Sequence, residues 1–106
     1  MNNNINYITR ENELNKVIKE QKSCGAREQI LFISLWDKVS NNILEKLKDA
    51  STRVSIINSF DTPHSFVIWG ISKAPCLVTL EGKGYSKRMS TSFHVTDIYK
   101  RLRLEK

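Results

Sequence analysis

A mixed α/β fold, in which an alternating half of parallel strands shares one sheet with an antiparallel hairpin, is what this sequence of 106 residues predicts. Three observations carry the expectation. Strand-like apolar runs alternate with segments of helical period from Ile5 to Gly70. After them "PCLVTL" and "YSKRMS" flank "EGKG", a glycine-bearing turn suited to a hairpin. Between the two halves, "WGISKAPCLVTL" sets Pro75 at the mouth of a buried strand.

The elements follow in order. Ile5–Thr9 ("INYIT") reads as a short strand, and Thr9 then suits the N-cap of a helix over Arg10–Ser23, with Glu11 and Glu13 near its positive end. Leu14, Val17 and Ile18 give that helix one apolar face, and Gly25 stops it. "ILFISLW", Ile30–Trp36, is an unbroken apolar run with a single serine, the pattern of a central strand covered on both faces. Asp37 or Ser40 caps a second helix, which buries Ile43, Leu44, Leu47 and Ala50 and turns Glu45, Lys46, Lys48 and Asp49 to water. "RVSIIN", Arg53–Asn58, is the third strand. A short helix follows with Pro63 in its first turn and Gly70 at its end, and it carries Phe66, Val67 and Trp69. The chain closes on a helix in which Val95, Ile98, Tyr99 and Leu102 recur at i, i+3, i+4 and i+7. The order is β-α-β-α-β-α-β-β-α, and right-handed crossovers place helices on both faces of the sheet.

Composition narrows the function classes. No apolar run reaches the length of a membrane span, and "MNNNINYITREN" has neither a basic nor a continuous apolar leader segment, so a cytoplasmic, membrane-independent protein is expected. Cys24 and Cys76 stand 52 positions apart, and His64 and His94 are isolated, so the spacing points to reduced thiols and to no metal site or cofactor. Asp61 and His64 sit at a helix start as cap and surface residues. No glycine loop for phosphate and no serine-nucleophile motif occurs. The formal net charge is +6, and from Gly82 onward seven bases face two acids. Lys83, Lys87, Arg88, Lys100, Arg101 and Arg103 thus form a basic C-terminal region able to meet nucleic acid, although no aromatic interleaving accompanies them. Asparagine-, lysine- and isoleucine-heavy usage is what an A·T-rich coding sequence tends to yield, consistent with a small bacterial or phage accessory protein.

The element order, together with Trp69-Gly70-Ile71, then Ala74-Pro75 and the run Leu77–Leu80, resembles the thioredoxin family. There an aromatic-Gly-Ile pattern ends the third helix, and a small or branched residue followed by a cis-proline opens the next strand. "EGKG" is similar to the family's hairpin turn, and "YITRENELNKVI" to its first strand and helix, so the resemblance spans nearly the whole chain. It implies one thioredoxin-like domain over residues 1–106, in three α/β/α layers around a mixed central sheet. A cis Ala74–Pro75 bond is also implied, since X-Pro is the peptide for which cis costs only about 0.5–1 kcal/mol.

The family's redox pair is absent. Counted onward from "ILFIS", its two cysteine positions fall on Val39 and Asn42, and its buried acid on Ile33. Cys24 and Cys76 lie at opposite ends of the expected strand, about 17–20 Å apart, which excludes a disulfide between them. The resemblance therefore implies a redox-inactive binding or adaptor module. Its expected protein-binding surface comprises the Trp36–Asn42 loop (Trp36, Asp37, Val39, Asn42), the Ser72–Cys76 corner (Lys73, Ala74, Pro75) and the Ser90–Phe93 loop (Phe93). Two other readings stand beside it: a thiol oxidoreductase acting through the lone Cys76, with Lys73 favouring thiolate, and a nucleic-acid-associated protein using the basic region.

Overall fold

A computed structural model describes residues 4–83 and 88–104. The elements are β1 (Ile5–Ile8), α1 (Glu11–Cys24), β2 (Glu28–Ile33), α2 (Lys38–Lys48), β3 (Val54–Asn58), α3 (Pro63–Ile68), β4 (Cys76–Glu81), β5 (Arg88–Ser92) and α4 (Val95–Arg101). Five strands form one sheet in the order β1-β3-β2-β4-β5. β1, β3 and β2 run parallel, and the β2/β4 and β4/β5 pairs are antiparallel. The order of elements and the mixed sheet are those expected from the sequence.

β2 is central because both its faces are apolar: Ile30, Leu31, Phe32 and Ile33 are all buried. Even-numbered side chains Ile30 and Phe32 join Leu14 of α1, Ile71, Cys76 and Val78 in one cluster, with Phe66 and Trp69 packed against it. Phe32 anchors that side, with its ring 5.1 Å from Phe66 and 5.7 Å from Trp69. On the other face Leu31 and Ile33 meet Ile43 and Leu47 of α2 and Ile98 of α4 with Leu102. Strand alternation thus sorts one apolar run into two cores, and the helices into two layers.

Several boundaries differ from the sequence reading, each for a local reason. β1 ends at Ile8 and α1 is entered from Arg10, because the Thr9 hydroxyl donates to the Glu13 carboxylate at 3.2 Å instead of capping the helix. α1 ends where Gly25 adopts φ +76° and returns its N–H to the Gln21 carbonyl. A Cβ at Gly25 would lie 2.6 Å from Lys83 Cγ and 3.4 Å from Lys83 N, so glycine also permits the close approach of the β4 exit. β2 stops at Ile33, three residues before Trp36: the Ser34 N–H donates to Ser40 Oγ and the Ser34 carbonyl accepts from Asp37. The apolar run continues into a loop because its backbone partners there belong to α2. Of the strand expected at "YSKRMS", Tyr85, Ser86 and Lys87 lie outside the described residues, and the described strand extends to Ser92, past the expected loop start at Ser90.

Candidate functional site

The strand registers decide what gathers at one end of the sheet. Ile33 pairs with Asn58, Phe32 with Cys76 and Leu77 with Ser92, so the segments 34–37, 59–62, 72–75 and 93–94 all emerge at the same edge. This is the carboxyl end of the parallel strands, where open α/β sheets present their ligands.

The positions counted for a dithiol, Val39 and Asn42, fall within α2, whose N-cap, Asp37, lies two residues before Val39. Asp37 is the N-cap, with extended backbone, and its Oδ2 accepts from the Ser40 N–H at 3.2 Å and from the Ser40 hydroxyl at 3.0 Å. The Ser40 Oγ in turn accepts from the Ser34 N–H at 3.4 Å. An Asp-x-x-Ser pair therefore closes the helix mouth, its carboxylate favoured by the positive end of the helix. Val39 is half-buried and packs with Ile43 and Leu47, whereas Asn42 is exposed on the helix. Neither marks the helix start, so the pair at the mouth is Asp37 and Ser40. The ungapped count missed it because it carried the strand through Leu35 and Trp36.

Trp36 is 87% exposed, which settles it as a loop residue at the surface and not the end of a buried strand. Beside it stand Leu35, half exposed, and Phe60, which is 73% exposed. Together the three line an open apolar hollow of about 290 Å³. Phe60 is held there by the turn that leaves β3, where Asn58 Oδ1 accepts from the Phe60 N–H and the Asn58 carbonyl accepts from Asp61 and Thr62. Leu35 and Phe60 were not singled out from sequence. The available signal was a large apolar residue between a strand end and a helix cap, in "SLWD" and "SFDT".

The corner that follows α3 holds Lys73, exposed, Ala74, half-buried, and Pro75, buried, with a cis Ala74–Pro75 peptide. No described residue hydrogen-bonds to the Ala74 backbone. Phe93, 40% exposed, leaves β5 at this same edge. Cys76, the first residue of β4, is fully buried, and burial pushes its thiol up to about 11, only partly offset by a hydrogen bond with the Ser92 backbone. Such a thiol stays protonated at neutral pH. Cys24 is free and exposed, beyond the opposite end of β2.

That opposite end is basic. Lys83, Lys100 and Arg103 are exposed there or close by, and Arg101 is partly buried, its Nε donating to Asp97 Oδ2 at 3.1 Å and its Nη1 to Ser90 Oγ at 3.0 Å. The Asp97 carboxyl is held below its usual range first by the Ser92 hydroxyl and then by Arg101. Lys87 lies outside the described residues, as does the side chain of Arg88. Arg27 and Arg53, which the C-terminal charge count did not include, are exposed where β2 and β3 begin. Among the described residues no three His, Cys, Asp or Glu side chains gather as metal ligands. No described helix is long and apolar enough to cross a membrane.

No protein-family profile matches the chain, and no curated protein matches its sequence. Solved structures do match. Trichomonas vaginalis thioredoxin superposes with a TM-score of 0.72 at 15% identity, covering 93% of this chain and 95% of that one. Fasciola hepatica thioredoxin gives 0.71 at 16% identity over 95% of this chain and 99% of its own. Plasmodium falciparum thioredoxin gives 0.71 at 19% identity over 97% and 89%. At such identities the likeness is one of backbone architecture, and on that ground the chain has a thioredoxin-like fold.

Proposed function

We propose that the chain is a protein-binding module that holds an extended segment of a partner against the Ala74 edge and performs no disulfide exchange. The observation that carries this reading is the hollow of Leu35, Trp36 and Phe60 at the ligand-presenting end of the sheet. Exposed Trp and Phe side chains on adjacent loops are the kind of group that anchors a protein interface, because each buries a large apolar area at low entropic cost. The Ala74 backbone, to which no described residue hydrogen-bonds, offers main-chain pairing to an extended peptide, and the hollow offers a pocket for its side chains.

The chemistry at the helix mouth supports the same reading. Asp37 and Ser40 cannot exchange disulfides, and Cys76 is a buried, protonated thiol, so Lys73 nearby does not make it a nucleophile. Of the predicted contacts, Trp36, Lys73, Ala74 and Phe93 remain on the proposed surface. Val39 packs against the core and Pro75 is buried, Asn42 stands exposed further along α2, and Asp37 is occupied as the helix cap.

The test selects short random peptides, displayed on phage, against the immobilised protein. Peptides should be enriched that bind wild type, shift the Ala74 amide and Trp36 indole resonances, and fail to bind Trp36→Ala/Phe60→Ala. Enrichment no greater than on that double variant overturns the proposal, as does insulin reduction by wild type that vanishes in Cys76→Ser.

A further inference from the structure

At the end of the sheet remote from Trp36, an open cleft of about 490 Å³ brings together four arginines from three parts of the chain. Arg27 leads into β2, Arg53 into β3, Arg101 ends α4 and Arg103 follows it. Three carboxylates sit in or near the cleft. Glu81 lies 3.5 Å from the Nε of Arg27, Asp97 holds the Nε of Arg101, and Asp49 lines the wall. These pairs hold the Nε side of two guanidinium groups, and Arg101 also gives one Nη1 hydrogen to Ser90 Oγ, which leaves further Nη donors on both. Arg53 and Arg103 make no ion pair with any described residue.

The backbone of Arg103 adds an independent observation. α4 closes with the Arg103 N–H on the Lys100 carbonyl at 3.2 Å and the Leu104 N–H on the Tyr99 carbonyl at 2.8 Å. That is the Schellman closure, whose left-handed position is ordinarily glycine because a Cβ crowds the following carbonyl. Arg103 occupies it at φ +58°, whereas the other described residues with positive φ, Gly25, Gly70 and Gly82, are all glycines. An arginine is thus kept where glycine would suit the backbone better, and it lines the cleft. A conformational outlier of this kind points to a role for its side chain.

We propose that this cleft grips the phosphate backbone of a nucleic-acid strand. Guanidinium forks match phosphate oxygens in geometry and charge. The lining holds no aromatic ring for a base to stack on, so the contacts are to phosphate and independent of base sequence.

Fluorescence anisotropy with a labelled single strand of about 12 nucleotides tests this on the intact protein. With the two unpaired arginines, Arg53 and Arg103, neutralising about two phosphates, binding should weaken about 7-fold between about 50 and 200 mM salt. Arg53→Gln should bind several-fold more weakly, with a salt slope shallower by about 0.7, while Lys19→Gln, an equal charge change on the exposed face of α1, should leave binding unaltered. Arg103→Gly should melt at a higher temperature than wild type and yet bind more weakly, a combination that a purely structural arginine would not produce. The proposal fails if the strand does not bind, if Arg53→Gln and Lys19→Gln weaken it equally, or if Arg103→Gly binds like wild type. Inorganic tripolyphosphate is the competing arm: should it bind as tightly as the strand, the site takes a compact polyphosphate and the nucleic-acid assignment falls.

Discussion

Removing the Asp37 carboxylate should destabilise the fold by an amount that its contacts allow to be worked out. Oδ2 accepts two hydrogen bonds, from the Ser40 N–H and the Ser40 hydroxyl, and Ser40 is fully buried. Loss of an N-cap acceptor costs about 1 kcal/mol, and a buried hydroxyl left without its acceptor costs about 1 kcal/mol more. Asp37→Ala should therefore lose about 2 kcal/mol, which for a domain of this size lowers Tm by about 10 °C. Asp37→Asn keeps an acceptor and gives up only the attraction of a negative charge to the helix N-terminus, about 0.5 kcal/mol. Ser40→Ala removes the same hydroxyl from its other side, so the double variant Asp37→Ala/Ser40→Ala should lose less than the sum of the two singles. Thermal melts followed by circular dichroism at neutral pH measure all four. The reasoning is refuted if Asp37→Ala melts with wild type, or if the two single losses add in full, since either would mean that the carboxylate and the hydroxyl do not share one cap.

Three further outcomes concern the helix mouth and the two cysteines. The double variant Asp37→Cys/Ser40→Cys places two thiols where side chains already meet at 3.0 Å, at a helix N-terminus that favours thiolate; it should acquire dithiol-dependent insulin reduction, and Val39→Cys/Asn42→Cys should not. In the native protein a thiol reagent at neutral pH should modify Cys24 and spare Cys76 until denaturant is added. Because the Cys76 thiol titrates at about 11 when folded and near 9.0 otherwise, the unfolded chain sheds its proton first. Stability should therefore fall as pH rises from about 9 towards 11, and chemical denaturation across that range should show a smaller fall in Cys76→Ala.

The apolar run at Ile30–Ile33 and the helical spacing of Leu14, Ile43, Leu47 and Ile98 made the layers legible, because burial on a strand or helix leaves its period in the residues themselves. Caps were legible in type and less so in place. Asp37 was one of two residues suited to cap α2, but Thr9, equally suited, spends its hydroxyl on Glu13 instead. A single serine in "ILFISLW" could not show where pairing stops, since that is decided by Ser40, six residues further on, and by the end of β3, distant in the chain.

By itself, then, the sequence determined the order of elements, the mixed sheet and the absence of a Cys-x-x-Cys pair, all of which depend on local composition and period. Only the tertiary structure decided that Leu35, Trp36 and Phe60 share one hollow and that Arg27 and Arg53 join Arg101 and Arg103. Those groupings arise from strand registers across β2, β3 and β4 and from the packing of Ile98 and Leu102 on that sheet. Register is a property of pairing between segments far apart in sequence, and no single segment records it.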